Sequence, residues 1–273
     1  MDDNEVFDLA LEHFYMDQTE LHQALTLGEA GENLIALQAT LRRYGASKAL
    51  LHFADHEGIL SRLQVLPSLE AYSEDLNAFD REVAQEALLE KIKSTIGHAW
   101  TAIAGACQKL KSYLTGAITW TKEALTRVKA IEKVVQDNPD KEIPHEQLAG
   151  VLAAANADMT QLAQHGDTAA KEELSLHSLT LEHFGESNPS TIIRTCTNNI
   201  GKVNGILEAE TSRVARLESL AHRLDGTSHP DQIARQREIT KSISVARMFI
   251  ALLLKTVGSN HRVASVLQHA YNR

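Results

Sequence analysis

Apolar residues recur every three or four positions between residues 92 and 135, and this pattern constrains the fold more than any other feature of the chain. The alternation persists for about six heptads without a proline, and it has the period of one face of an α-helix. The pattern predicts a helix from about residue 81 to residue 135, near 80 Å long if straight at about 1.5 Å per residue. Gly97, Gly105 and Gly116 lie inside it and indicate bends or close helix contacts.

The rest of the chain also favours helices, so the predicted fold class is an all-α, antiparallel helical bundle with long helices and a C-terminal αα-hairpin. Only 5 of the 273 residues are proline and 5% are aromatic, whereas strands favour aromatic and β-branched residues. Two long helices joined by a short turn would form the hairpin. The predicted helices are 4–27, 33–55 with a bend at Gly45, 58–66, 81–135, 145–164, 168–184, 191–224, 231–257 and 260–271.

Two proline-containing linkers divide the pattern. Residues 136–144 contain Asn138-Pro139 and Pro144, which end a helix, and they predict a boundary between an N-terminal helical region, 1–135, and a C-terminal bundle, 145–273. The second linker is 185–190, after which Ser190 or Thr191 is expected to cap the next helix. A turn is predicted at 165–167.

Opposite charges are concentrated in different segments. The net charge is −9 overall, but it is −13 for residues 1–90, +6 for 91–134, −8 for 135–190 and +6 for 191–273. Such segregation indicates that the segments meet different surfaces, or one another.

The basic segment 91–134 has three interpretations. Its cations can flank a buried stripe and pair with the acidic N-terminal block, bind a polyanion such as DNA without sequence specificity, or lie on a membrane with Trp100 and Trp120 as interfacial anchors. The candidate contacts with an anionic surface are Lys91, Lys93, Lys109, Lys111, Lys122, Arg127, Lys129 and Lys133.

The sequence contains no pattern typical of catalysis, so we expect no enzymatic activity, no catalytic residue, no cofactor and no metal. Neither GxSxG, GxGxxG nor a phosphate-binding loop occurs. His52 and His56 stand four residues apart but lack a third ligand. Cys107 and Cys196 are expected to be buried thiols. The most apolar run, 248–254, is too short to cross a bilayer.

Leu-Glu-His-Phe occurs twice, at 11–14 and 181–184. The flanking residues differ, and the repeat is therefore interpreted as coincidence.

Several runs make the chain resemble the internal head and virion structural proteins of large tailed bacteriophages of the myovirus type. They are Leu37-Gln-Ala-Thr-Leu-Arg-Arg-Tyr-Gly45, Leu69-Glu-Ala-Tyr-Ser-Glu-Asp75, Phe79-Asp-Arg-Glu-Val-Ala-Gln-Glu86 and Leu217-Glu-Ser-Leu-Ala-His-Arg-Leu-Asp-Gly226. The resemblance implies a structural protein packed with the genome inside the capsid, made in the bacterial cytoplasm and able to leave with the DNA. It also implies trimming by a prohead protease after small-x-Glu, a tripeptide present at 30–32, 68–70, 84–86 and 170–172.

The expected partners are capsid or other virion proteins, nonspecific DNA through the basic helix, a membrane surface, and a second copy of the chain. The alternative function is a cytoplasmic helical adaptor or regulatory protein that binds a protein partner, or an amphipathic protein of the membrane surface.

Overall fold

The structure is a computed structural model, and it describes about two thirds of the chain. The described residues are 33–34, 36–45, 50, 54, 78–139, 141, 143, 145–171, 180–185, 188–224 and 230–272. They are largely helical and include no strand. The helices predicted at 4–27 and 58–66 lie outside the described residues.

Five helices are described, and they confirm the all-α fold. We label them α1, residues 33–44 with residue 35 not described; α2, Ala78–Gln136; α3, His145–Lys171; α4, Pro189–Leu224; and α5, Pro230–Tyr271. The 59-residue helix α2 confirms the long helix predicted from the apolar spacing. The long helices α4 and α5 form the predicted C-terminal hairpin.

Two predicted breaks are wrong, because packing keeps the helix continuous at both. Helix α3 runs through residues 165–167, where a turn is predicted, and Gly166 is buried there. Helix α5 runs through 258–259, where two helices are predicted, and the buried Asn260 amide donates to the Thr256 carbonyl at 2.8 Å. Local breakers predict turns, but burial against other helices overrides a propensity cost of about 1 kcal/mol.

The chain divides into two compact units, and three helices contribute to both. The first unit contains the described residues within 109–215 and 242–272, and the second contains those within 33–108 and 216–241. This division differs from the boundary predicted at 136–144, which stays a prediction.

Four helices pack in the first unit, and their contacts give their directions. Residue numbers rise in α2 as they fall in α4, since Lys122 pairs with Glu208 and Glu132 accepts from Thr197. The same holds for α3 and α5, where Asp158 pairs with Lys255 and His165 stacks on Phe249. Residues 180–184 run antiparallel to α4, since Thr180 bonds Lys202 and Glu182 bonds Asn199, and to α3, since His183 lies near Thr160 and Phe184 bonds Asn156. Helices α3 and α4 therefore run in one direction and α2 and α5 in the other.

That order requires a long connection from α3 to α4, because parallel neighbours cannot be joined by a tight turn. The connection includes residues 180–185, which are not helical and lie against α3 and α4. The helix predicted at 168–184 is thus wrong at its C-terminal end. Apolar spacing alone gave that helix, whereas the side chains of α3 and α4 bond the backbone of these residues.

Helix α4 begins one residue earlier than its predicted cap. Asn188 accepts the Thr191 backbone N–H on its Oδ1 at 2.9 Å, so Asn188 is the N-cap and Pro189 is the first helical residue. Proline favours that position, because its missing N–H would have no helical partner there. The prediction of Ser190 or Thr191 as the cap is therefore wrong.

In the second unit, Gly45 ends α1 and does not bend it. Its φ is +76°, in the left-handed region, and its N–H donates to the Leu41 carbonyl at 2.9 Å. The Gln85 side chain from α2 donates to the same carbonyl at 3.0 Å. The left-handed cap favours glycine, which has no Cβ to strain the backbone.

The glycines inside α2 and α4 make no close helix contact. A Cβ built at Gly97, Gly105, Gly116, Gly201 or Gly205 meets no atom within 4 Å. The expectation of close helix contacts at the α2 glycines is therefore wrong, and each position has room for alanine.

Candidate functional site

All eight predicted contact residues of α2 have exposed side chains. Six of them lie in the first unit and two, Lys91 and Lys93, in the second. An amphipathic helix exposes its charged residues when its apolar stripe is buried, and the buried stripe of α2 includes Leu110, Leu114 and Val128. The sequence therefore predicted correctly that these cations lie on the surface.

In the first unit the cations form two rows, one on each side of the buried stripe. Lys109 and Arg127 stand 18 residues apart, which is about five helical turns, so they lie on the same side. We call them the first row. Lys111 and Lys129 have the same spacing on the other side, about 200° around the helix. Lys122 and Lys133 lie near this second side, and the four lysines form the second row.

The second row borders α4. Lys122 Nζ lies 2.9 Å from Glu208 Oε1 on that helix, and the hydrogen bond from Lys122, with help from Asn204, holds the pKa of Glu208 below its usual value. Lys129 and Lys133 are exposed and make no ion pair with another described residue. They stand four residues apart, so their ammonium groups share one side of the helix.

The first row borders α5 through an open cleft of about 380 Å³. Its wall combines a cation and polar groups with an apolar surface, and Val134 within it is 40% exposed. The lining residues are Arg127, Ala130, Ile131, Val134, His261, Ser265 and Gln268. The cleft has room for a side chain of a partner, but no group in it is placed for catalysis.

Lys91 and Lys93 of the second unit have weaker surroundings. Lys93 Nζ lies 3.5 Å from Glu90 on the same helix, and both side chains are more than half exposed. Such an exposed pair adds little stability, about 0.2–1 kcal/mol.

The two tryptophans do not form an interfacial pair. Trp100 is only 2% exposed and belongs to the core of the second unit, so its prediction as a membrane anchor is wrong. Trp120 is half-buried. An interfacial anchor must reach the headgroups with its ring, which a fully packed indole cannot do.

One segment among the described residues, Glu238–Tyr271 of α5, passes the test of length and composition for a membrane span, because an 18-residue window within it has a mean hydropathy of 1.4. No such segment was expected from the sequence, because no uninterrupted apolar run is long enough to cross a bilayer. A hydropathy averaged over a window tolerates isolated charged residues. Half of its most apolar window is buried against other helices, including Phe249 and Leu253. A core helix satisfies the same criterion, so the finding is weak support for membrane insertion.

The titratable residues give no reaction centre in the described part of the chain. Cys107 and Cys196 are free and buried, as predicted. Burial raises the pKa of the Cys107 thiol to about 12, and burial also raises the pKa of the Cys196 thiol. No group of three or more His, Cys, Asp and Glu side chains is arranged to hold a metal there. His52 and His56 lie outside the described residues.

Sequence reasoning missed the buried amides. Asn199 is fully buried, and its Nδ2 lies within hydrogen-bonding distance of the Glu182 carbonyl at 2.9 Å, the Met159 sulfur at 3.2 Å and the Asn260 Oδ1 at 3.3 Å. Asn156 bonds the backbone of Phe184. A polar residue on the apolar side of a helical pattern was the signal that could have identified them.

Comparisons with family models, with curated proteins and with solved structures find no significant match to this chain.

Proposed function

We propose that this protein is a non-enzymatic structural component of a bacteriophage virion, packed inside the head with the genome, and that its exposed basic residues contact the DNA. Two observations support the proposal. The sequence resembles internal head proteins in the runs quoted above, and the eight cations of α2 are all exposed.

The second row carries the proposed contact with DNA. Lys129 and Lys133 are exposed and have no described ion pair, so binding a phosphate breaks no described interaction. Lys122 contributes less, because Glu208 already neutralises it. Phosphate contacts of this kind release counterions and carry no sequence information.

The overall charge of −9 does not oppose this arrangement. Electrostatic interactions are screened beyond about 8 Å at physiological salt, so DNA responds to the charges nearest to it. The acidic blocks instead suit contact with basic surfaces of other virion proteins.

The binding test compares two variants with the same net charge. Lys111→Gln/Lys129→Gln/Lys133→Gln removes three cations of the second row, and Arg194→Gln/Arg216→Gln/Arg262→Gln removes three exposed cations elsewhere. Binding to a labelled nonspecific duplex is measured by anisotropy between about 50 and 200 mM salt.

We expect the wild-type affinity to fall with salt, and the second-row variant to lose up to about 2.7 from the slope of log affinity against log salt, at about 0.9 per phosphate contact. Three phosphate contacts account for a roughly 40-fold fall in affinity when the salt concentration rises from about 50 to about 200 mM. Equal slopes for the two variants would contradict the assignment to the second row, and no wild-type binding at about 50 mM salt would remove DNA as a partner.

Location is tested separately. Mass spectrometry of purified phage particles should find this chain, and its first residue in the particle would show whether a protease trims it. Absence from particles would refute the virion role, whereas binding to anionic vesicles or to a protein partner in its place would favour the alternative functions.

A further inference from the structure

A segment without regular secondary structure, residues 180–185, lies in a groove between α3 and α4, and we call it the strap. It runs antiparallel to α4, because Thr180 lies near Lys202 and Glu182 near Asn199, and antiparallel to α3, because His183 lies near Thr160 and Phe184 near Asn156. A chain outside helices and sheets leaves its N–H and C=O groups unpaired unless a neighbour supplies partners. The groove supplies them through side chains.

Two asparagines hold the strap backbone, one from each helix. Asn199 of α4 accepts the Glu182 N–H at 2.9 Å and donates to the Glu182 carbonyl at 2.9 Å. Asn156 of α3 makes the same pair of bonds with Phe184, both at 2.8 Å. An amide side chain used in this way binds a peptide as a neighbouring strand would, independently of the peptide's side chains.

The groove also contacts three consecutive side chains of the strap. Lys202 bonds Glu182 at 3.0 Å, and this bond lowers the pKa of the Glu182 carboxyl. Thr160 Oγ1 lies 3.2 Å from Nε2 of His183, and the Phe184 ring is buried at 7% exposure. Glutamate, histidine and phenylalanine in this order are thus recognised individually.

The same three residues occur at the N-terminus. Residues 9–14 read Leu-Ala-Leu-Glu-His-Phe, and residues 179–184 read Leu-Thr-Leu-Glu-His-Phe. The match therefore extends beyond the tetrapeptide, with one difference in six positions. The differing residue in the strap is Thr180, and its described bond is from Lys202 to its backbone carbonyl, which alanine also has.

We propose that the groove is a peptide-binding site for the motif Leu-x-Leu-Glu-His-Phe, and that residues 9–14 are its second occupant. The strap and the N-terminal motif then compete for the same asparagines and for Lys202. When the N-terminal motif of one copy enters the groove of another, it links two copies without any new interface.

The strap has a kinetic and entropic advantage as an occupant, because it is attached next to the groove. A short tether gives an effective concentration in the millimolar range. A free peptide is therefore expected to compete measurably only when the strap binds the groove more weakly. The strap should be weakened at side chains whose truncation leaves no cavity. Glu182 and His183 meet this condition, since both side chains are exposed.

The experiment uses the full chain and a fluorescent synthetic peptide with the sequence of residues 7–17. We expect the peptide to bind the Glu182→Ala/His183→Ala variant at least about tenfold more tightly than it binds the wild type, because the weakened strap dissociates from the groove more readily. A peptide with alanine in place of Phe14 should bind the same variant about tenfold more weakly or worse, from lost burial of the ring.

Adding Asn156→Ala to the strap variant should weaken peptide binding, whereas Asn204→Ala, also on α4 but bonded to Glu208, should not. Circular dichroism establishes that each variant is folded. The proposal is overturned if the peptide fails to bind the strap variant at about 1 mM, or if a scrambled peptide or the Asn156→Ala variant binds equally well.

A photocrosslinker at position 14 of the full chain distinguishes the source of the motif. Crosslinks from position 14 to residues 152–160 within one chain would indicate exchange inside a molecule, and crosslinked dimers would indicate exchange between copies. Crosslinks that avoid α3 altogether in the strap variant would also overturn the proposal.

Discussion

The same substitution, glycine to alanine, should have opposite effects at two positions of the second unit. Gly105 lies inside α2, where a Cβ meets no atom within 4 Å. Gly45 has φ +76°, and a Cβ there would lie 3.4 Å from Gln85 Oε1. Both changes restrict the unfolded chain equally, so the difference between the variants isolates the native backbone conformation.

The magnitudes follow from the two conformations. Alanine in a helix interior is favoured over glycine by about 0.8–1.0 kcal/mol, so Gly105→Ala should stabilise by about that amount. A left-handed conformation costs an L-residue about 1–2 kcal/mol, partly offset by about 0.4–1 kcal/mol from the unfolded state. Gly45→Ala should therefore destabilise by about 1 kcal/mol. The two variants should differ by about 2 kcal/mol, or roughly 4–8 °C in Tm.

Urea and thermal unfolding followed by circular dichroism measure this difference, and unchanged m-values establish that the comparison is valid. Gly116→Ala, in the first unit, is a second stabilising control with the same open surroundings. If Gly105→Ala is less stable than the wild type, the surroundings of Gly105 are not open. If Gly45→Ala is more stable than the wild type, Gly45 does not have the left-handed conformation.

Three further predictions concern the cysteines, the strap and a helix cap. Cys107 and Cys196 should resist a thiol reagent at pH 8 in the native protein, because burial raises both thiol pKa values, and both should react with the reagent on unfolding. Rapid labelling of the native protein would refute the burial of these thiols. Since Lys202 lowers the pKa of Glu182 from 4.5, their interaction stabilises the fold above that pH and is lost as pH falls through the lower, folded value. The difference in the free energy of unfolding between wild type and Glu182→Gln should accordingly vanish in acid. A difference that does not change with pH would contradict the interaction between Lys202 and Glu182. Asn188→Ala should cost about 1 kcal/mol in urea unfolding through loss of the cap, whereas no change would contradict the bond.

The sequence predicted those features that depend on local pattern. The length of α2 followed from apolar spacing and the exposure of its cations from their position beside that stripe. Features that depend on distant partners were missed. Residues 180–184 carry a helical apolar spacing, but they are not helical, and Asn156 and Asn199 bond their backbone instead. Residues 165–167 read as a turn until the burial of Gly166 is known.

The buried amide pair of Asn199 and Asn260 explains why the first unit has one arrangement of α4 against α5. Their side chains meet at 3.3 Å with both residues fully buried. Sliding either helix by one turn would separate the two amides and leave the Asn260 Oδ1 without its described donor, at about 1–3 kcal/mol for an unsatisfied buried group. Apolar contacts alone tolerate such a shift far better, because leucine and isoleucine pack in many combinations. Since Asn199 also holds Glu182, the register of the hairpin and the position of the strap depend on the same side chain.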